Sequence, residues 1–192
     1  YAFFQHILTS LKLESGRCAI LFPHGVLFRD EEKAMRRRIV EADLVDCVIG
    51  LGPNLFYNSP MEACIVICRT SKDEVRKNRI LLINAVSEVT RERAQSFLRP
   101  EHIEKIAGCY EAFENVESFA AVVSKDDVLS NDANLSIALY VRTNGSGNGR
   151  TGDKVALADT IAAWESSSAE LRSSMDSLLQ TLGRTGVADR GR

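Results

Sequence analysis

The sequence predicts an α/β domain with a mainly parallel sheet, followed by a single amphipathic helix. Helix-type and strand-type patterns alternate over the first 50 residues, as in domains whose crossover helices cover the faces of a sheet. Two strand patterns, at residues 45–50 and 63–68, are joined by a loop without a helix, which predicts an antiparallel hairpin at the edge of the sheet. Near the carboxyl end, apolar residues recur at alternating spacings of four and three, the pattern of a heptad helix.

The composition is that of a soluble globular protein, and we expect it in the cytoplasm. Of the 192 residues, 45% are hydrophobic and 26% charged; the net charge of -2 means that any contact with nucleic acid needs a local basic patch or a basic partner. The five cysteines contain no CxxC pair and are expected to be reduced. No apolar run reaches the roughly 20 residues of a membrane helix. Because the chain opens on Tyr1-Ala2-Phe3-Phe4 without a methionine, we expect it to be part of a longer protein.

The first elements follow from local patterns. Apolar residues at helical spacing predict a helix over Ala2–Leu13, and the apolar run Cys18–Phe22, which ends at Pro23, predicts a central parallel strand. Acidic residues at 30–32 precede a second helix whose apolar residues share one face. The loop between the two hairpin strands holds two prolines and two asparagines, so it is expected at the surface.

Later segments complete the domain. Strands are predicted at Ile80–Ile83, Phe119–Val123 and Leu135–Val141, and a helix is predicted to begin at Pro100. A stretch with four glycines in ten residues, 143–152, is typical of a flexible linker. We therefore divide the chain into a domain (1–142), a linker (143–153), the heptad helix (154–183) and a polar tail (184–192).

The heptad helix has one apolar seam. Its positions are Leu157, Ile161, Trp164, Ser168, Leu171, Met175, Leu178 and Leu182, with Gly183 as the expected cap. Because a lone helix cannot cover such a seam, the seam is expected to pack on the body of this chain or on a helix of a partner.

Four stretches occur together in a recognisable order. They are Tyr1-Ala2-Phe3-Phe4-Gln5-His6, Pro23-His24-Gly25-Val26-Leu27-Phe28-Arg29, Gly50-Leu51-Gly52-Pro53-Asn54-Leu55-Phe56-Tyr57 and Asn131-Asp132-Ala133-Asn134-Leu135-Ser136-Ile137. In these stretches the sequence resembles the modification subunit, a DNA adenine-N6 methyltransferase, of type I restriction–modification systems. The resemblance covers residues 1 to about 142.

The resemblance implies the carboxyl-terminal half of a class I S-adenosylmethionine-dependent methyltransferase, a Rossmann-like sheet with an antiparallel last strand. It implies S-adenosylmethionine as cofactor and DNA as substrate. It also implies a specificity subunit bound through the heptad helix and, where the system has one, a restriction subunit. The family's glycine-rich cofactor turn and Asn-Pro-Pro-aromatic motif do not occur in this sequence. We therefore expect no catalytic residue and no activity in these 192 residues alone; the alternative is a non-catalytic module that docks a partner through its heptad helix.

The resemblance also nominates site residues. Phe56, with Tyr57 as a substitute, is expected to stack on a flipped target base, and the alternative is that Phe56 anchors its loop in the core. Phe4, or else Phe3, resembles the residue that lies against the cofactor adenine, with Pro23 beside it. For these three residues, ordinary packing and strand termination are the alternatives.

Other candidates have simple structural interpretations. Arg36, Arg37 and Arg38 are candidates for contact with DNA phosphate, although such a run usually forms a solvated helix face. His24 is not needed for methylation of an amino group. Cys64 and Cys68 share a face of a strand but lack further ligands nearby, so we expect burial and no metal site. The pair Asp126-Asp127 could hold Mg²⁺ or start a helix, and a turn with an N-cap is the preferred interpretation.

Overall fold

The structure, a computed structural model, describes residues 2–57, 59–93 and 95–141, together with the single positions Ser168, Arg172, Ser174 and Met175. The chain divides into two units, Tyr1–Ser146 and Gly147–Arg192. The predicted linker and polar tail lie outside the described residues. So do six seam positions of the heptad helix, namely Leu157, Ile161, Trp164, Leu171, Leu178 and Leu182. Ser168 and Met175 are helical, and the Met175 side chain is exposed.

The first unit contains four α-helices, three short 3₁₀ helices and seven strands among its described residues. The helices are α1 (Ala2–Thr9), α2 (Lys33–Glu41), α3 (Pro100–Ala112) and α4 (Lys125–Ser130). The strands are β1 (Arg17–Pro23), β2 (Val45–Leu51), β3 (Ala63–Arg69), β4 (Arg79–Ala85), β5 (Thr90–Glu92), β6 (Gln95–Phe97) and β7 (Ala120–Ser124). No described helix has the length and apolar character that crossing a membrane requires.

Five strands form one sheet in the order β1-β3-β2-β4-β7, and β5 pairs with β6 in a separate hairpin. The predicted antiparallel pairing of β2 with β3 is confirmed. The expectation of a mainly parallel sheet is wrong, because only β2 and β4 pair in parallel. The hairpin inserts β3 between β1 and β2, which run in the same direction, so it lies inside the sheet and not at its edge.

Strand β1 is an edge strand, not the central parallel strand that its apolar run predicts. It pairs antiparallel with β3 alone among the described strands, and none of its residues is fully buried. Local hydrophobicity does not distinguish a strand with two neighbours from one with a single neighbour, since only long-range pairing decides this.

Both faces of the sheet are covered. One core cluster joins Phe4 of α1, Val40 of α2 and Val128 of α4 to the sheet. The other cluster packs Cys109 and Phe113, from α3 and its end, against the opposite face. Strand β2 contributes to both clusters and is buried at all seven positions.

Two local predictions need correction. Helix α1 ends at Thr9, because the Thr9 and Ser10 hydroxyls donate to carbonyls of the preceding turn and the chain then turns toward Gly16. The segment 135–141 is not a strand. The Asn134 side chain accepts from the Ser136 amide at 2.9 Å, a turn that leads into a 3₁₀ helix at Ile137–Leu139. The predicted start of a helix at Asp126-Asp127 is confirmed, with Ser124 as its cap.

Candidate functional site

The carboxyl ends of β1, β2 and β4 lie at the same end of the sheet, because these three strands run in the same direction. We call it the carboxyl end of the sheet. Three loops follow these strands at the carboxyl end, at residues 24–32, 52–62 and 86–99. In sheets with strands of this kind, ligands bind beyond the carboxyl ends of the strands. We therefore expect a functional site at the carboxyl end of the sheet.

The loop 52–62, called the aromatic loop below, presents two rings to solvent; its Asn58 lies outside the described residues. The side chain of Phe56 is 37% exposed and that of Tyr57 is 92% exposed. The neighbouring Leu55 is half-buried and packs against the core cluster on the α3 face. Leu55 is thus the anchor of the loop, which argues against the alternative that Phe56 holds that place.

The aromatic loop is fixed to the β5–β6 hairpin. The buried Ser96 donates its backbone amide to the Asn54 carbonyl at 2.8 Å. Asn54 has a φ of 60°, a left-handed conformation that asparagine tolerates. A Cβ on Gly52 would lie 2.4 Å from the Val86 carbonyl oxygen, so only glycine fits where the two segments cross.

The candidates for cofactor contact differ in exposure. Phe4 is 3% exposed, and its ring meets the Phe22 ring edge-on at a centroid distance of 5.1 Å. The interpretation of Phe4 as core is therefore the one that the geometry supports, and a ligand does not reach its ring. Phe3 is 85% exposed, and Pro23 is exposed at the end of β1.

His24 follows Pro23 at the carboxyl end of the sheet. Its Nδ1 is 3.6 Å from Glu62 Oε2, and its backbone amide donates to the Glu62 carbonyl at 3.3 Å. Its Nε2 is buried and has no hydrogen-bond partner among the described residues. These contacts join the end of β1 to the end of the aromatic loop.

The three consecutive arginines do not form one solvated face. Arg36 is 3% exposed, and its guanidinium donates to the carbonyls of Ala133, Val26 and Arg29. This burial makes the expectation of a phosphate contact by Arg36 wrong, because the side chain ties α2 to two loops. Arg37 and Arg38 are exposed, and Arg37 pairs with Glu41 at 2.9 Å.

Comparison with known proteins settles the family. Residues 1–148 match the profile of the family described as N-6 DNA methylase. The chain belongs to this family. The methylase subunit of the type I restriction enzyme MjaVIII from Methanocaldococcus jannaschii is 39% identical over 129 residues, which are 65% of this chain and 22% of that protein. The MpnII methylase subunit from Mycoplasma pneumoniae is 31% identical over 143 residues, 74% of this chain and 26% of that protein.

Solved structures agree with this assignment. The type I restriction–modification methyltransferase subunit from Streptococcus thermophilus is 34% identical, with a TM-score of 0.68, over 73% of this chain and 30% of that one. The EcoKI M protein shares the fold, with a TM-score of 0.56 at 14% identity over 97% of this chain and 45% of that one. The predicted fold class, part of an S-adenosylmethionine-dependent methyltransferase sheet, is confirmed. The chain spans about a quarter of the length of the curated relatives named above.

In this N-6 DNA methylase chain, the end of the sheet opposite the aromatic loop holds a buried ionic network that the sequence did not predict. Asp46 is fully buried, and its Oδ2 accepts from Tyr110 at 2.6 Å and from Arg76 at 3.1 Å, with Arg69 Nε at 3.0 Å. Burial, followed by the hydrogen bond to Asp46, raises the pKa of the Tyr110 hydroxyl. The sequence does contain one sign of this network. Asp46 is an acidic residue inside an apolar strand, and a buried charge needs partners.

The cysteines occupy the core and one edge. Cys64 and Cys68 are fully buried in the core cluster on the α1 face, and burial raises the pKa of Cys64 to about 12. Cys18 lies directly opposite Cys68 across the β1–β3 pair. A hydrogen bond from Cys68 lowers the pKa of Cys18 to about 7. The described part of the chain contains no cluster of metal-ligating side chains.

Proposed function

We propose that this chain supplies the base-holding part of a type I modification subunit. That subunit is a DNA adenine-N6 methyltransferase, which transfers a methyl group from S-adenosylmethionine to an adenine flipped out of the duplex. One observation carries the proposal. The aromatic loop exposes Phe56 and Tyr57 to solvent at the carboxyl end of the sheet, while Leu55 packs against the core.

The exposed rings match what base flipping requires. An enzyme that modifies a base must take it out of the stack and hold it between flat side chains. Phe56 follows the packed Leu55, and its carbonyl accepts a hydrogen bond from the Ser59 amide at 3.1 Å in a turn of the same loop. A ring on a backbone held in this way can receive a base with little loss of backbone conformational entropy.

This chain forms only one side of the proposed cofactor site. Exposed Phe3 and Pro23 offer apolar surface for an adenine ring, whereas the glycine-rich turn that would hold the rest of S-adenosylmethionine does not occur in the sequence. S-adenosylmethionine supplies the methyl group when bound. We propose that the remaining cofactor contacts, and the Asn-Pro-Pro-aromatic motif that holds the target amine, come from another part of the methyltransferase.

Of the two edge strands of the sheet, β1 and β7, the first offers a place for that part. Strand β1 has no neighbour on its outer side among the described strands, and Leu21 on it is 48% exposed. An unpaired strand edge is a template for a further strand. We propose that the cofactor-binding part of the sheet continues from β1.

Sequence choice and part of the DNA affinity are proposed to come from a specificity subunit. A chain of net charge -2 has little general attraction for the phosphate backbone. We propose the apolar seam of the heptad helix as the contact with that subunit. Arg37 and Arg38 remain candidates for phosphate contact.

The proposal is tested with 2-aminopurine in place of the target adenine in duplex DNA bound to the complete methyltransferase. Phe56→Ala should weaken binding of the flipped base by roughly 5- to 150-fold, because stacking contributes about 1–3 kcal/mol per base. Met61→Ala, which removes another exposed apolar side chain of the same loop, serves as the control and should leave binding unchanged. Equal fluorescence and equal methylation rates for wild type and Phe56→Ala would refute the role of Phe56.

A further inference from the structure

The β5–β6 hairpin carries two exposed arginines, Arg91 and Arg93. Neither side chain has an ion pair or a hydrogen bond to any other described residue. The hairpin's one carboxylate, Glu92, is paired with Arg99, whose Nε also lies 3.3 Å from the Thr90 hydroxyl. The exposed surface of the hairpin is therefore cationic, although the chain as a whole carries a net charge of -2.

This cationic surface is joined to the aromatic loop. The amide of Ser96, in β6, donates to Asn54, two residues before Phe56. At the other end of the contact, Gly52 packs against Val86 and Val89 on the approach to β5. Because Arg91 pairs with Ser96 across the hairpin, the backbone that bears the arginines is tied to the backbone of the aromatic loop.

The position of Arg93 is unusual. Its φ of 54° lies in the left-handed region, which glycine and asparagine occupy most readily. A long cationic side chain therefore stands at a turn position where local backbone preference favours a smaller residue. Arginine is suited to phosphate because its planar guanidinium forms paired hydrogen bonds and is weakly hydrated.

We propose that the β5–β6 hairpin binds the phosphate backbone of the target strand beside the flipped base, through Arg91 and Arg93. The inference rests on the proposed function and extends it. Extruding a base displaces the backbone of its own strand, so phosphate contacts beside the aromatic loop would fix the strand in the extruded geometry. Such contacts determine position and carry no sequence information, which fits a chain whose sequence choice lies in a partner.

The test measures binding of the complete methyltransferase, with its specificity partner, to its duplex site over a range of salt concentrations. Each lost phosphate contact should reduce the magnitude of the slope of log K against log salt by about 0.9. Arg91→Gln with Arg93→Asn should therefore reduce it by about 1.8 and weaken binding, whatever the sequence of the duplex. Asparagine suits the left-handed turn, so the hairpin is expected to keep its fold.

Controls separate this inference from the proposed function. Arg17→Gln removes an exposed arginine at the opposite end of β1 and should leave the slope unchanged. Phe56→Ala should reduce 2-aminopurine fluorescence with an unchanged slope, which would support the base-holding role independently of the hairpin. An unchanged slope for the double arginine variant would overturn the inference while leaving the proposed function intact. Weakened binding of the specificity subunit with an unchanged DNA slope would also overturn it, by making the hairpin a protein interface.

Discussion

Asp46 stands at the beginning of β2 without exposure to solvent, and two arginines meet its carboxylate. Arg76 also lies over the rings of Tyr110 and Phe113, with its guanidinium carbon 4.8 and 4.4 Å from their centroids. Removal of the carboxylate would leave this buried guanidinium with only the exposed Asp73 carboxylate, 3.7 Å from its Nε, as a counter-charge. The network connects β2, β3 and α3 far from the aromatic loop, so its contribution is to stability.

The stability prediction concerns Asp46→Ala. The substitution should lower the free energy of unfolding by about 3–5 kcal/mol, the usual cost of breaking a buried ion pair on one side. Urea denaturation of the protein measures this value. Glu41→Ala, which breaks the half-exposed pair with Arg37, should cost less than about 1 kcal/mol. Similar losses for the two variants would show that the Asp46 network does not stabilise the fold in this way.

At the scale of elements, the aromatic loop and the β5–β6 hairpin form one structural unit. Their contact depends on Gly52, where a side chain would collide with the backbone at Val86. Gly25 provides a contrast, because a Cβ there would meet the side chain of Arg29, which can move. The two glycines therefore differ in how much a methyl group would disturb the site.

Gly52→Ala should displace the aromatic loop and weaken binding of the flipped base about as much as Phe56→Ala, even though both rings remain. The matched control, Gly25→Ala, should bind the base as the wild type does. Titration of 2-aminopurine duplexes with the complete methyltransferase compares the two variants. If Gly52→Ala bound the base normally, the hairpin contact would have no part in positioning Phe56.

Local patterns predicted most elements but not their arrangement. Strands β2, β3, β4 and β7 were predicted because short apolar runs are visible in the sequence. The neighbours of β1 depend on pairing with β3, 40 to 52 residues away, which leaves no local trace. The segment 135–141 was misassigned because its apolar residues pack on the sheet from a 3₁₀ turn. Arg36 was misassigned because three carbonyls compensate its burial, two from the segment before α2 and one from Ala133.

The candidate site was partly visible in the sequence. The loop of Phe56 and Tyr57 was found through its resemblance to a family, and its surface position through its prolines and asparagines. Which of Leu55 and Phe56 enters the core was not predictable, because a loop has no periodicity from which to infer a buried face. The hairpin arginines lay in a charged segment without a pattern, and it is the hydrogen bond from Ser96 to Asn54 and the close approach of Gly52 to Val86 that relate them to the site.

At the scale of the whole molecule, the first unit is a five-stranded sheet whose edge strands are β1 and β7 and whose loops at one end carry the proposed functional residues. Its strands β1, β2 and β4 bring the aromatic loop and the hairpin to the same end, whereas the buried ionic network lies at the other. Stability and proposed function therefore depend on separate residues. Substitutions in the ionic network leave the proposed binding residues in place, and substitutions in the loops leave the network in place. The aligned segments cover only 22% and 26% of the MjaVIII and MpnII methylase subunits, and the proposed reaction requires the complete methyltransferase.

Transfer of a labelled methyl group from S-adenosylmethionine to adenine N6 in duplex DNA tests the central claim most directly. The complete methyltransferase, containing this chain, the cofactor turn and the specificity partner, should label the DNA, and Phe56→Ala in that assembly should label it more slowly. The 192 residues alone should transfer no label. Labelling by the isolated 192 residues, or wild-type labelling by the Phe56→Ala assembly, would contradict the assignment of this chain as the base-holding part of the enzyme.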